Sequence, residues 1–281
     1  MGEQLTMINL FQIGRITAAL DMPDDMPYPE TLKPFAIAEA VPTLSFRLEF
    51  TDNPETIEQM FLAEHPGGNT YQRANLRVTA ADGLECRVLY FEGSPQPYAA
   101  YVEEGEGKFR VYFDSAVKPL LTTETIFLSA LSLEKAMIQT DCMILHAAYL
   151  YHNGEAILFT APSGTGKSTQ AGLWEQYRGS RTVNGDKALL MEQEHIWQAC
   201  GWPVCGSSGI CFNEQYPIRA VVLLRQAKEN SIRRLNLSEA VKKMFAQITV
   251  NMWNTSYQMR VMDFMPSALG DVTSTTRPSE S

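Results

Sequence analysis

Residues 161–169 read Ala-Pro-Ser-Gly-Thr-Gly-Lys-Ser-Thr, and they stand between the apolar run Ala156–Phe159 and a segment of helical pattern, Gln170–Tyr177. A glycine-rich loop between a strand and a helix is the setting that a phosphate-binding loop requires. Its glycines let successive backbone N–H groups point at an anion, and the helix adds the positive end of its dipole. The sequence therefore predicts a phosphate-binding loop, whose contacting residues are Ser163, Gly164, Thr165, Gly166, Lys167, Ser168 and Thr169.

Two side chains of this loop carry specific chemistry. Lys167 is placed to reach the outer phosphates as a point charge, and the Ser168 hydroxyl is placed to ligate Mg²⁺. The usual motif begins with glycine, where this chain has Ala161. Because the following Ser-Gly-Thr-Gly-Lys-Ser-Thr core is intact, we interpret the loop as a variant of the motif. The alternative is a glycine-rich turn with a chance Lys-Ser pair.

Composition limits the classes of protein to which the chain can belong. Its 281 residues suit one large domain or two modest ones, and 45% hydrophobic with 20% charged residues is typical of a soluble globular protein. A net charge of −9 argues against a nucleic-acid partner, and the sequence has no apolar run of membrane-spanning length. Five cysteines without a CxxC pair fit a reducing compartment, so we expect a cytoplasmic protein.

The first part of the chain, residues 1–118, has the patterning of β-strands. Thr43–Phe50 alternates between polar and apolar residues, and Asn75–Tyr90 has the pattern of a hairpin that turns at Asp82-Gly83. No cluster of catalytic residue types occurs here. We expect a β-rich subdomain with a role in recognition or scaffolding.

Residues 119–265 are predicted to form a second domain around the loop. Apolar residues at helical spacing predict one helix over Thr122–Ile138 that joins the two halves. The strand candidates Ile144–Leu150 and Ala156–Thr160 are separated by a tight turn, so the strand that enters the loop is expected to be hairpin-paired with its predecessor. Residues 266–281 are rich in Ser, Thr and Pro, and we expect a disordered tail.

A second candidate group lies after the loop helix. Asn184-Gly185-Asp186-Lys187 separates two short strand candidates, and Asp186 suits a metal ligand or a base beside bound phosphates. The alternative is a turn-forming aspartate. The apolar run 220–224 ends at Arg225, so the strand-end aspartate of motor and GTPase proteins is missing.

Two further stretches are candidates for a functional site. The glycine-rich stretch 201–209 either shapes the acceptor side of the site or is an ordinary turn, and both readings stay open. A zinc site is a weaker alternative, because the spacing matches no familiar zinc module; its ligands would be His195, Cys200, Cys205 and Cys211.

Three stretches together resemble the HPr kinase/phosphorylase catalytic domain, whose members share a fold with ATP-type phosphoenolpyruvate carboxykinase. They are 145–155, 161–169 and 183–187, and the resemblance covers about residues 120–225. It implies an α/β fold of mixed, α+β character, with a β-rich N-terminal part before a P-loop domain that has a largely mixed or antiparallel sheet. It also implies phosphoryl transfer from ATP or pyrophosphate with Mg²⁺, and a homo-oligomer.

The resemblance also implies roles for individual residues. Lys167 and Ser168 match the phosphate and Mg²⁺ residues, and His146 matches a histidine near the transferred phosphate. Asp186 matches the second of two adjacent aspartates that include the base, and Gly185 replaces the first. The candidate catalytic residues are thus Asp186, Lys167 and His146, and the candidate Mg²⁺ ligands are Ser168 and Asp186.

Two functions follow as hypotheses. The first is a kinase that phosphorylates a hydroxyl on a protein or small molecule, with Asp186 and His146 orienting or deprotonating the acceptor. The second is a non-catalytic nucleotide-binding regulatory module that engages a partner protein through its β-rich half. The replacement of an aspartate by Gly185 favours the second hypothesis, and the retained Lys167, Ser168 and Asp186 favour the first.

Overall fold

The structure is a computed structural model, and it describes residues 6–268 and 272–277. The chain divides into two compact units, Met1–Leu133 and Glu134–Ser281. The boundary predicted from the sequence, after residue 118, lies earlier in the chain. Each unit is organised on its own β-sheet.

Unit 1 is mainly β-structure. Its strands are β1 Thr6–Ile13, β2 Ile16–Pro23, β3 Ala36–Ile37, β4 Leu44–Thr51, β5 Asn69–Arg73, β6 Leu76–Ala81, β7 Leu84–Tyr90, β8 Pro97–Gly105 and β9 Lys108–Asp114; its helices are α1 Glu55–Glu64 and α2 Glu124–Leu131. Within the described residues the strands form one sheet in the order β3-β1-β2-β4-β9-β8-β7-β6-β5. Short 3₁₀ segments occupy Glu30–Phe35 and Ser115–Leu120.

Local sequence patterns in unit 1 correspond to its strands. The alternating stretch forms β4, with Phe46 and Leu48 buried on one face. The hairpin β6–β7 turns at Asp82 and Gly83, which have φ of 52° and 81°. A two-residue turn with both φ values positive matches the twist of the strands, which is why Asp-Gly is favoured there.

The prediction of one continuous helix over 122–138 is wrong. Helix α2 ends at Leu131, because the next residue, Ser132, is buried and has a left-handed φ of 53°. A second helix, α3, spans Leu133–Gln139. Both helices bury an apolar face, with Phe127 in α2 and Met137 in α3 almost fully inaccessible. Apolar spacing therefore continues across the break and cannot reveal it.

Unit 2 carries the glycine-rich loop. Its strands are β10 Cys142–His152, β11 Glu155–Thr160, β12 Arg181–Asn184, β13 Lys187–Gln193, β14 Ile196–Cys200, β15 Gln215–Gln226, β16 Ser231–Arg234, β17 Ile248–Thr249 and β18 Val272–Arg277; its longer helices are α4 Lys167–Arg178, α5 Leu237–Phe245 and α6 Thr255–Ala268. The described strand order is β11-β10-β13-β14-β15-β18-β16, and β11 also pairs with β15. Parallel and antiparallel pairs occur together. The predicted α/β class with a mixed sheet is confirmed.

The hairpin predicted before the loop is confirmed, and it fixes the position of the site. Strand β11 runs antiparallel to β10 and ends where Thr160 pairs with Ala147. On the other side of β10, β13 begins where Lys187 pairs with His146. Strand β11 thus ends, and strand β13 begins, beside the middle of β10. The loop after β11 and the turn before β13 therefore leave the sheet at the same point.

The prediction of a disordered tail from residue 266 is wrong for its described part. Helix α6 continues to Ala268, and β18 pairs in parallel with β15. Thr and Val are β-branched residues that suit a strand, so a Thr-rich composition does not exclude one. Residues 269–271 and 278–281 of the predicted tail lie outside the described residues. Across the described helices, none combines the length and the apolar character needed to span a bilayer.

Candidate functional site

The loop between β11 and α4 has the backbone conformation that its glycines predict. Gly164 and Gly166 have φ of 76° and 106°, values that other residues rarely adopt. Gly166 is the N-cap residue of α4, and as a glycine it has no side chain with which to cap the first turn of that helix. The N–H groups of the first turn have no intrahelical acceptor, so such a helix start is suited to binding an anion.

Lys167 curls back over the loop. Its Nζ donates to the carbonyl oxygens of Ala161 at 3.0 Å and Pro162 at 3.4 Å. The side chain is largely buried, and burial lowers the pKa of Lys167 while the charge of Asp186 opposes that shift. A buried ammonium with two neutral acceptors keeps much of its positive charge uncompensated, so it is suited to pairing with an anionic ligand.

Asp186 and His146 form the second part of the site. His146 Nε2 lies 3.3 Å from Asp186 Oδ1. The hydrogen bond from His146 lowers the pKa of Asp186; burial opposes this shift, and Lys187 and Lys167 add to it. The carboxylate therefore stays ionised at neutral pH.

The backbone holds these two residues in register. The N–H of Ala147 donates to the Asp186 carbonyl at 2.9 Å, and the Thr160 hydroxyl donates to the His146 carbonyl at 2.7 Å. His146 is thus part of β10, and Asp186 is hydrogen-bonded to β10 at the next residue, near the point where β11 ends and β13 begins. A rigid strand fixes the position of a side chain better than a free loop does.

The sequence predicts Asn184 only as part of a turn, and the structure gives it a larger role. Its side chain is fully buried, and its Oδ1 accepts from the N–H groups of Asp186 and Lys187, each at 2.9 Å. Its Nδ2 donates to the carbonyls of Trp202 at 2.7 Å and Val204 at 3.0 Å. All hydrogen-bonding positions of the Asn184 amide are therefore used, and they tie the Asp186 turn to a segment about 20 residues further along the chain.

We expect Asn184→Ala to lower the free energy of unfolding by about 3 kcal/mol, because buried donors and acceptors would be left without partners. Urea unfolding of the variant beside wild type measures this loss. The matched control is Asn69→Ala on the exposed strand β5, where a change within about 0.5 kcal/mol is expected. Equal, small effects of the two substitutions would contradict the role of Asn184.

Residues 205–209 lie against the same turn. A Cβ atom at position 185 would overlap the side chain of Ser208, and one at position 206 would lie 3.2 Å from Asp186 Cβ and Cγ. The Ser208 hydroxyl donates to the Cys205 carbonyl at 2.7 Å. Glycines at 185 and 206 therefore allow this segment to approach the Asp186 turn closely.

The predicted site residues come together at one cavity of about 530 Å³ in unit 2. Both the loop and the Asp186–His146 pair contribute to it, as do four residues that were not in the predicted site. The lining residues are His146, Ser163, Gly164, Gly166, Lys167, Ser168, Thr169, Gly185, Asp186, Cys205, Ser207 and Ser208. Thr165 of the predicted set is not among them; its N–H donates to the Pro162 carbonyl at 3.4 Å.

The zinc alternative finds no support in the described part of the chain. No group of three or more His, Cys, Asp or Glu side chains is gathered there in a way that could hold a metal ion. Ser168 and Asp186 both line the cavity. A hydroxyl and a carboxylate are the oxygen ligands that Mg²⁺ accepts, and this ion usually keeps several waters, so the pair fits a magnesium site.

We expect acid to remove the stabilisation that Asp186 provides. Its pKa lies below its ordinary value of 3.8, and a carboxyl group with a lowered folded-state pKa loses its contribution as the pH falls through that value. The difference in unfolding free energy between wild type and Asp186→Asn should therefore be present at about pH 5 and shrink below about pH 4. Urea unfolding across this range measures it. A difference that grows on acidification would contradict the lowered pKa.

Comparison with known proteins gives a matching family model and distant similarity to solved structures. The family model described as SynChlorMet cassette protein ScmC matches residues 121–265. The chain is also similar to the structure of the Hpr(Ser) kinase/phosphatase from Coxiella burnetii, with 13% identity and a TM-score of 0.29 over 49% of this chain and 79% of that one.

No curated protein matches the chain. The family whose model matches is a different one from the HPr kinase/phosphorylase family that the sequence resembles.

Proposed function

The chain belongs to the ScmC family of SynChlorMet cassette proteins, and from the geometry of its site we propose that it is an ATP-dependent phosphotransferase that phosphorylates a hydroxyl group. The observation that carries this proposal is the shared cavity. The loop with Lys167 and the pair Asp186–His146 line one cavity of about 530 Å³. A phosphate donor and an acceptor hydroxyl can therefore meet there.

The loop is proposed to bind the donor through its phosphates. Backbone N–H groups between Ser163 and Thr169 surround the anion, and Lys167 exchanges its contacts with the Ala161 and Pro162 carbonyls for the outer phosphates. Mg²⁺, held by Ser168 and Asp186, would neutralise charge on these phosphates. Catalysis in such a site comes mainly from positioning and charge stabilisation.

Asp186 and His146 are proposed to act on the acceptor. The acceptor oxygen bonds to the terminal phosphorus as the bond to the leaving phosphate breaks, and the hydroxyl proton passes to the Asp186 carboxylate or to His146. A carboxylate with a lowered pKa is a weak base, so its main contribution is to orient the hydroxyl. The products are the phosphorylated acceptor, ADP and a proton.

The donor can also be pyrophosphate, since the cavity is directed at phosphate groups. None of its lining residues in the described chain is Phe, Tyr or Trp, the side chains on which a nucleobase would stack. Recognition therefore depends on the phosphates and on Mg²⁺.

A non-catalytic nucleotide-binding module is the second candidate, and Gly185 is the observation that favours it. An aspartate at 185 would overlap Ser208, so the chain keeps a single carboxylate in this turn. In that case unit 1 would engage a partner protein and nucleotide would act only as a regulator.

Slow release of ADP from Mg–ATP without an added acceptor separates the two candidates, because water can replace the acceptor hydroxyl in a kinase site. We expect the wild-type protein to release ADP steadily over hours, in amounts exceeding the protein present. Binding of Mg–ATP without any ADP release would favour the regulatory module.

A further inference from the structure

We propose that contacts with the Asp186 turn hold residues 205–209, named here the acceptor wall, in a fixed position, and we name this set of contacts the lock. Ser208 and Asn184 are then positioning residues for the Asp186 carboxylate. This inference rests on the proposed function for its catalytic meaning. Its structural part, the lock itself, can be measured without any assumption about activity.

The first element of the lock is the close packing of the Ser208 side chain against Gly185. Gly185 does not have a positive φ, so its backbone conformation is open to other residues. The space beside it does not admit a side chain, because a Cβ at 185 would overlap both the Cβ and the Oγ of Ser208. The glycine is therefore required by the neighbouring side chain and not by the turn.

Ser208 is itself held by its hydroxyl. Oγ donates to the Cys205 carbonyl at 2.7 Å and accepts from the Ile210 N–H at 3.2 Å. These two bonds close the turn around Ser208. The side chain that fills the space above Gly185 is thus fixed in the acceptor wall.

The second element is Asn184, whose side chain links the Asp186 turn to the residues that immediately precede the acceptor wall. Its Oδ1 accepts from the N–H groups of Asp186 and Lys187, and its Nδ2 donates to the carbonyls of Trp202 and Val204 just before the wall. Because Asn184 is fully buried, these bonds do not compete with solvent. Movement of the wall therefore moves the backbone that carries Asp186.

The third element is direct contact with the catalytic candidate. Gly206 lies so close to Asp186 that any Cβ there would come within 3.4 Å of Asp186 Oδ1. His146 Nε2 lies 3.3 Å from that same oxygen. The Asp186 carboxylate therefore lies next to both the acceptor wall and His146.

A double-mutant cycle between Gly185 and Ser208 tests the lock. Gly185→Ala should raise amide hydrogen exchange in residues 202–212 at least about tenfold, because the wall must move away. Adding Ser208→Gly should return exchange to the level of Ser208→Gly alone. Ser208→Ala is the matched control: it removes the hydroxyl but keeps the overlapping Cβ, so it should not rescue Gly185→Ala.

The positioning role is tested by separating binding from turnover. Gly185→Ala should leave the Kd for Mg–ATP within about threefold of wild type, since the loop at 161–169 is unchanged. It should lower ADP release at least about tenfold, because a small displacement of Asp186 misplaces the acceptor. The Gly185→Ala/Ser208→Gly variant should recover ADP release to the level of Ser208→Gly alone.

Three results would overturn the inference. They are unchanged exchange in Gly185→Ala, equal rescue by Ser208→Ala and Ser208→Gly, and ADP release that falls only in proportion to Mg–ATP affinity. A wild-type protein that binds no Mg–ATP would overturn the proposed function instead. The exchange cycle alone decides whether the lock exists, so the two failures are distinguishable.

Discussion

Replacement of Lys167 by methionine is expected to weaken Mg–ATP binding by roughly 100-fold, because a charge-assisted contact worth about 3 kcal/mol is removed. The same substitution should leave the melting temperature unchanged or higher. Lys167 is a largely buried ammonium whose two acceptors are neutral carbonyls, and methionine fills similar space without a charge to desolvate. Loss of affinity without loss of stability is the signature of a ligand-binding lysine.

Titration calorimetry and thermal unfolding of the same samples measure both quantities. Lys243→Met is the matched control, since it removes an exposed lysine from α5 in the same unit. It should change neither the Kd nor the melting temperature appreciably. If Lys167→Met bound Mg–ATP as tightly as this control, the loop would not be the phosphate site.

The second large effect is expected at Asp186. Asp186→Asn should reduce ADP release by about 10²-fold or more, because the charge that orients the acceptor hydroxyl and helps to hold Mg²⁺ is lost. Mg–ATP binding should weaken much less, because the loop and Lys167 still hold the phosphates. Asparagine is nearly the same size and can still contact His146 and the acceptor wall. The loss would therefore report the carboxylate charge and not the shape of the site.

Asp263→Asn provides the matched control, because Asp263 lies on α6 and does not line the cavity. It should release ADP at the wild-type rate. A residual rate in Asp186→Asn within about twofold of this control would remove Asp186 from the mechanism. If neither the wild type nor the variants released ADP while all bound Mg–ATP, the regulatory module would be the better account.

Much of the site can be predicted from the sequence, because most of its residues are close together in the chain. The glycines, Lys167 and Ser168 occupy one short loop, and the physics of anion binding acts within that loop. Asp186 could be selected because it follows a strand in a turn. The hairpin before the loop was also predictable, since His152 to Gly154 form a tight turn between two apolar runs.

The remaining features depend on contacts between residues far apart in the sequence. Asn184 is an ordinary turn residue until its amide is seen to bond to the Trp202 and Val204 carbonyls. Gly185 suggested a lost aspartate, and only the position of Ser208 shows why a side chain does not fit there. An Asn-Gly pair beside a second glycine-rich stretch was the one available signal, and it is shared with many plain turns.

Two errors of the sequence analysis have the same kind of origin. Helical periodicity continues through Ser132 because both α2 and α3 bury a face, although a left-handed residue separates them. The Thr-rich segment 272–277 has Val272 as its one apolar residue, yet it pairs with β15 through its backbone. In both places the deciding interaction is absent from the local pattern.

The central claim is that residues 161–169 bind phosphate groups, and calorimetric titration of the wild-type protein with Mg–ATP and with pyrophosphate tests it most directly. We expect saturable binding of at least one of them with a micromolar Kd, about −8 kcal/mol. No binding heat from either ligand at millimolar concentration, across two temperatures, would contradict the claim and with it the proposed phosphotransferase.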